Sequence, residues 1–180
     1  WGRDELDRIK YRFKNSKSYS LNEATETKFK LLDFSSINYV HLSTHGISYY
    51  DNYEQSSIVF RKDSQNNGFL EYQEVLDLNL KDVHLIFLSA CDTNMGKSFI
   101  NINTITLQRA FSLAGSHNII STLWPIDDEA TMYFTEIFYL ALEMTKVPSQ
   151  ALTLTKRAFV EEYPEYSNPY YWAGFVQYGY

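Results

Sequence analysis

The segment LIFLSACDTNMG, residues 85–96, decides the fold class and contains the only cysteine of the chain, Cys91. Its apolar first half is typical of a buried strand in a parallel sheet, and its polar, glycine-containing second half is typical of a loop. In α/β proteins, the loops that leave the carboxyl ends of such strands form the ligand-binding crevice. A lone cysteine at a strand end is nevertheless more often a small buried residue than a nucleophile. A catalytic interpretation of Cys91 therefore needs support from other parts of the chain.

Length and composition indicate one folded domain. The chain has 180 residues, of which 44% are hydrophobic and 21% charged, an ordinary composition for a globular protein. A chain of this length buries about 70% of its unfolded surface, so one sizeable core is expected over residues 1–180. Because the sequence begins at Trp1 without a methionine, we expect it to be the C-terminal part of a longer protein.

Charge and cysteine content narrow the classes of partner. The net charge is −6, and the lysine and arginine residues are scattered rather than grouped into a basic stripe, which argues against nucleic acid as a partner. One cysteine cannot form an internal disulfide, no apolar run approaches the roughly 18 residues of a membrane span, and no signal segment opens the chain. These features predict a cytoplasmic protein that does not bind a membrane.

Strands and helices are predicted to alternate along the chain. Helices are indicated at 4–13, 22–34, 71–78, 106–115, 128–144 and 149–162, and the second of them is expected to have its cap at Asn22 or Thr25. Strands are indicated at 37–44, 56–60, 83–90, 117–124 and within 170–180. This order predicts an α/β fold with a parallel sheet and helices on both faces. Three loops at the carboxyl ends of strands would then converge on one crevice.

His45 is the candidate partner of Cys91, because it also follows an apolar strand. If the two strands are neighbours, the imidazole and the thiol face each other across the crevice. A thiol with a pKa of about 8.5 is mostly protonated at neutral pH, and a nearby imidazole can remove or hold its proton. The two residues are 46 positions apart, close to the roughly 50 described for caspases, in which the histidine also comes first.

The neighbours of the two residues also suit this chemistry. Gly46 has no side chain to block its backbone N–H, which together with the N–H of Cys91 could form an oxyanion hole. Ser89 and Ala90 are small and would leave room for a substrate backbone beside the thiol.

The remaining histidines are interpreted as structural, because they lie inside or at the start of predicted strands. They are His41, His84 and His117. His41 and His45 are four residues apart, but that spacing places two ligands on one face only in a helix. The sequence therefore supports neither a metal site nor a cofactor.

Five blocks of sequence occur together in one order: YVHLSTHG, LEYQEVLDLNL, HLIFLSACDTNMG, LQRAFSLAGSHNIISTLWPIDDEAT and NPYYWAGFVQYG. From about Ala24 to Tyr178 they resemble the CHAT domain, a bacterial branch of the caspase-like cysteine peptidases related to separase. The resemblance implies a caspase-like three-layer αβα sandwich with a mostly parallel central sheet. It implies a cysteine endopeptidase with a His–Cys dyad, matched here by His45 and Cys91. It also implies a protein or peptide substrate, and regulation by a partner protein or by upstream tetratricopeptide repeats.

The resemblance further implies a specificity residue in the WPIDDEAT block. In separase a similar block supplies an acidic residue to the pocket for the basic side chain before the cut bond, and alignment on Trp124 places Asp128 at that position. A carboxylate in a narrow pocket selects arginine through a bidentate pair. Asp127 and Asp128 could equally cap the helix that begins near Glu129. Both interpretations stay open, since one carboxylate can cap while its neighbour faces the crevice.

One departure from the family pattern keeps a second function open. Many members carry a Gly-Glu-Gly motif after the cysteine loop, where this chain has SFININTIT at 98–106. The substitution and the 15 tyrosines, a residue type enriched at contact surfaces, favour a catalytically silent scaffold for protein–protein interaction. A cysteine-dependent amidase or acyltransferase is a third possibility, but the Gly-flanked nucleophile elbow of hydrolases is absent around Cys91.

Overall fold

The computed structural model describes residues 2–47, 56–92 and 102–179, and the side chains of residues 4–47, 56–89 and 107–179. The helices in this part of the chain are α1 (Gly2–Arg12), α2 (Glu26–Lys30), α3 (Tyr72–Leu76), α4 (Ile102–Leu113), α5 (Asp128–Thr145) and α6 (Pro148–Glu162). The strands are β1 (Tyr39–Ile47), β2 (Ser57–Val59), β3 (Phe69–Glu71), β4 (Leu85–Asp92), β5 (Asn118–Thr122) and β6 (Phe175–Gly179). Across the described ranges, no helix is both long and apolar enough to span a membrane.

The strands form one mixed sheet in the order β3-β2-β1-β4-β5-β6. The three central strands, β1, β4 and β5, run parallel to one another. The strand β2 is antiparallel to β1, β3 is antiparallel to β2, and β6 is antiparallel to β5. Because β3 reverses β2, it points in the same direction as the central strands. The prediction of an α/β fold with a mostly parallel sheet is therefore confirmed.

Helices cover both faces of the sheet, because alternate residues of the central strands point to opposite sides. Ile86 and Leu88 of β4 belong to the core on one face, together with Phe111 of α4. Phe87 belongs to the core on the other face, together with Phe138 of α5. Each such fully buried side chain contributes about 1.5–3 kcal/mol relative to exposure. The helix α1 joins the second face, since its apolar residues pack against the same core.

The structure differs from the predicted elements at two places that matter for the site. The strand β1 ends at Ile47 rather than at residue 44, because Gly46 pairs with β4 on one side and β2 on the other. The helix predicted within 22–34 is reduced to α2. Of the two caps predicted for it, Thr25 is the N-cap, and its side chain accepts a hydrogen bond from Lys28 N.

Candidate active site

His45 and Cys91 occupy paired positions on neighbouring parallel strands. The register between β1 and β4 runs from Tyr39 opposite Leu85 to Gly46 opposite Asp92 and includes His45 opposite Cys91. Neighbouring strands lie about 4.8 Å apart, so the two backbones are within reach of a side-chain pair. The His45 side chain is exposed, whereas the side chain of Cys91 lies outside the described residues.

The pair lies at the carboxyl edge of the sheet, where the third central strand also ends. Because β5 is parallel to β4, the segment after β5 leaves the sheet at this same edge. Residues 48–55 and 93–101, which include most of the predicted cysteine loop and part of the SFININTIT segment, lie outside the described residues. The described framework of the crevice therefore consists of three strand ends and the start of α5.

Both predicted oxyanion donors lie within strands rather than in loops. Gly46 is buried and is paired with Asp92 on one side and Ile58 on the other. Cys91 lies one residue before the end of β4. The assignment of these two N–H groups to an oxyanion hole stays a prediction.

The two acidic residues of the WPIDD segment occupy different positions. Asp127 is the N-cap of α5, and its Oδ1 accepts hydrogen bonds from Glu129 N at 3.0 Å and Ala130 N at 3.1 Å. Asp128 is the first residue of the helix, and its side chain is exposed. The capping interpretation thus holds for Asp127, whose carboxylate is already engaged. Asp128 remains the candidate for recognition of a basic side chain.

A cavity of about 430 Å³ opens beside β1, on the side away from β4. Its lining includes Tyr19, Leu21, Ser43, Thr44 and Arg61. The positive charge of Arg61 in this lining would repel a basic substrate side chain. Asp128 does not line the cavity. The predicted preference for a basic residue therefore depends on Asp128 and on a different part of the crevice.

A buried polar cluster centred on Glu5 lies beneath the paired residues, and sequence reasoning missed it. The Glu5 side chain of α1 is only 4% exposed. Its carboxylate accepts hydrogen bonds from Ser43 Oγ at 2.6 Å, Ser89 Oγ at 3.3 Å and Thr135 Oγ1 at 2.9 Å. A signal was present in the helical spacing, because Glu5 precedes Ile9 and Phe13 at intervals of four and so shares their inward face.

His41 completes this cluster. Its Nε2 lies 3.3 Å from Glu5 Oε1, a close contact at an angle outside hydrogen-bond geometry, and its Nδ1 lies 3.0 Å from Tyr139 Oη. Burial alone raises the pKa of the Glu5 carboxyl, but the charge of His41 and the hydroxyl donors outweigh it, so that the pKa lies below its ordinary value. Glu5 is therefore a carboxylate at neutral pH. Desolvation keeps the pKa of Tyr139 well above its usual range, so its phenol stays neutral.

The described residues do not contain a group of three or more histidine, cysteine, aspartate or glutamate side chains that could hold a metal ion. The acidic side chain at the centre of the Glu5 cluster is instead in contact with His41 and with protein hydroxyl groups.

The mixed sheet of this chain, with three parallel central strands and helices on both faces, is consistent with the caspase-like class of α/β folds. The family model of the CHAT domain matches residues 3–180, and the chain belongs to this family. The chain is also 33% identical over 106 residues to tetratricopeptide repeat protein 28 from Homo sapiens. That match covers 59% of this chain but only 4% of the human protein. The matched part of this chain is therefore similar to a small segment of a much longer protein.

Proposed function

We propose that this chain is a cysteine endopeptidase domain in which His45 and Cys91 form the catalytic dyad. The observation that carries the proposal is their paired position on β1 and β4. Paired residues on neighbouring strands have side chains on the same face of a sheet, which the dyad requires. Membership of the CHAT family, with its caspase-like fold, supports the same assignment.

The proposed reaction has two stages. The thiolate of Cys91, formed when His45 takes the thiol proton, attacks the scissile carbonyl carbon and forms a C–S bond while the oxygen becomes an oxyanion. The tetrahedral species collapses, the C–N bond breaks, and the leaving amine takes the proton from the His45 imidazolium. Water, deprotonated by His45, then attacks the thioester, and the thiolate leaves as the carboxylic acid forms.

Two further groups are assigned roles in this proposal. The N–H groups of Gly46 and Cys91 donate to the oxyanion, and one such donor lowers the barrier by about 3 kcal/mol in well-studied enzymes. Asp128 binds a basic side chain on the acyl side of the cut bond. Ser89, whose hydroxyl donates to Glu5, has a small side chain that leaves room for the substrate backbone beside the thiol.

Control of the activity is proposed to come from outside this domain. The similarity to a segment of a tetratricopeptide repeat protein supports an upstream repeat region or a partner protein as the regulator of cleavage of a protein substrate. A reducing compartment keeps a thiol nucleophile free, which favours a cytoplasmic location.

Alkylation of the single cysteine tests the dyad directly, because Cys91 is the only site of modification in the chain. We expect rapid reaction with iodoacetamide near neutral pH in the wild type and a reaction about ten- to a hundredfold slower in His45→Ala, since the imidazole promotes thiolate formation. His84→Ala is the matched control, because His84 is exposed and lies just before β4, at the opposite end of the sheet. Equally slow reaction in the wild type and His45→Ala would favour the scaffold function.

A peptide library tests the reaction type and the specificity. We expect cleavage of peptides with arginine or lysine before the scissile bond by the wild type and no cleavage by Cys91→Ala. In Asp128→Asn the preference for a basic residue should be lost while cleavage persists. Turnover of small amides without cleavage of any peptide would instead favour an amidase or acyltransferase.

A further inference from the structure

The Glu5 cluster lies directly beneath the candidate dyad. Ser43 and Ser89 are themselves paired across β1 and β4, in the same register as His45 and Cys91. They precede the dyad by two residues on each strand, or about 6.6 Å along the strands. Both hydroxyls donate to the same oxygen, Glu5 Oε2. One oxygen of the Glu5 carboxylate thus bridges β1 and β4 through Ser43 and Ser89, two residues before the dyad on each strand.

The second oxygen of the Glu5 carboxylate, Oε1, contacts residues of α5 and β1. Oε1 accepts a hydrogen bond from Thr135 of α5 and lies in close contact with His41 of β1. The cluster therefore joins α1, β1, β4 and α5 through one side chain. Among the described side chains, the ionisable groups that face Glu5 are His41 and, through His41, the neutral phenol of Tyr139.

Packing alone does not require a carboxylate at this place. Burial of an ionised group costs several kcal/mol before its partners offset it, and well-packed apolar residues often stabilise such sites equally well or better. What a charged group adds is fixed geometry, because its donors must stay aligned with its oxygens. The residues so aligned here are Ser43 and Ser89, which precede His45 and Cys91 on the same face of the sheet.

Glu5 links α1 directly to both β1 and β4, and the other described contacts of this helix include α5 and the core of the second face. Besides the Glu5 contacts, Arg8 and Arg12 of α1 form ion pairs with Glu136 of α5, and Ile9 packs on the core of that face. Any change in the position of α1 is therefore transmitted to β1 and β4 through the carboxylate.

We propose that Glu5 is a positioning residue for the dyad, through which the docking of α1 orients the ends of β1 and β4 that carry His45 and Cys91. This inference rests on the proposed dyad, but it assigns a function to a residue outside the dyad and outside the substrate crevice. It also identifies α1 as the element through which an upstream or partner protein would change the reactivity of Cys91.

The test compares the pH profile of Cys91 alkylation in Glu5→Gln with that of the wild type. We expect the rate at neutral pH to fall about ten- to a hundredfold, because small misplacements of reacting groups have effects of that size. We also expect the rise in rate with pH to move toward that of His45→Ala. Thr155→Val is the control for lost stability, since Thr155 is fully buried and its hydroxyl bonds to Ala151 O within α6. That variant should react like the wild type.

The outcomes separate this inference from the proposed function. If wild-type alkylation depends on His45 while Glu5→Gln keeps the wild-type profile, the positioning role is refuted and the dyad stands. If wild-type alkylation is slow and independent of His45, both are refuted. Should Glu5→Gln fail to fold, Ser43→Ala decides, because it removes the shortest hydrogen bond to Glu5 and is expected to slow alkylation in the same way.

Discussion

Trp124 Nε1 donates a hydrogen bond to the carbonyl oxygen of Tyr170 at 2.8 Å, and the two rings stack with centroids 6.3 Å apart. The Tyr170 hydroxyl returns a hydrogen bond to Pro125 O at 2.8 Å. These contacts fasten the segment that leaves β5 to the turn that precedes β6. The start of α5, with Asp127 and Asp128, is therefore fixed at the sheet edge by an aromatic contact between two distant loops.

A side chain at position 174 is expected to destabilise the protein, because Gly174 packs against the indole ring of Trp124. A Cβ atom at Gly174 would lie 2.8 Å from Cε2 of Trp124, so Gly174→Ala must displace the indole ring. We expect a loss of about 1–3 kcal/mol in the free energy of unfolding, measured with urea. The double variant with Trp124→Phe serves as the control, because a smaller ring should relieve the clash and make the two effects non-additive. Strict additivity would show that Gly174 and Trp124 do not interact.

Much of the fold can be predicted from the sequence, but the supports of the site cannot. The strands β4 and β5 are revealed by apolar runs, and the pairing of His45 with Cys91 follows once both lie near the ends of parallel strands. The strand β3 is missed, because its three residues run directly into the helical pattern of α3. The burial of Glu5 is not predicted from the sequence for a different reason. A carboxylate in an amphipathic helix is expected on the solvent side, and its donors come from positions 38 to 130 residues away in the chain.

Removal of the Asp127 side chain should lower the stability of the protein, whereas removal of the Asp128 side chain should change its substrate preference. Asp127→Ala deletes the N-cap of α5 and should lower the free energy of unfolding by about 0.5–2 kcal/mol. Asp128→Ala should change stability less, because it removes only a favourable charge in the first turn, but it should abolish the preference for a basic residue before the cut bond. Urea unfolding and the peptide library measure the two effects. Loss of specificity in Asp127→Ala alone would reverse the assignment.

Tyr166 is expected to titrate at unusually high pH because its hydroxyl donates to Glu129 Oε2 at 2.9 Å. The hydrogen bond to this carboxylate raises the pKa of Tyr166 to about 12. The stabilising contribution is thus complete below the ordinary value of 10.0 and is lost as the pH rises through about 12. In Glu129→Gln the pKa should return toward the ordinary value, as followed by NMR of tyrosine labelled at Cζ. Glu165→Gln is the control and should leave Tyr166 nearly unchanged, whereas equal shifts in both variants would exclude the hydrogen bond as the cause.

Glu5 should make the stability of the protein depend on pH in the acidic range. Its pKa in the folded state lies below the ordinary value of 4.5, so the carboxylate stabilises the fold fully above that value and loses its contribution as the pH falls through the folded-state pKa. Glu5→Gln should therefore be less stable than the wild type by about 1–3 kcal/mol at neutral pH.

That difference between wild type and Glu5→Gln should shrink in urea unfolding experiments below pH 4.5. Thr155→Val removes no titratable group, so its difference from the wild type should be constant over the same range. If the Glu5→Gln difference is also constant, the carboxylate gains nothing from His41 and the hydroxyl donors on folding. The link between α1 and the strands of the dyad would then rest on apolar packing alone.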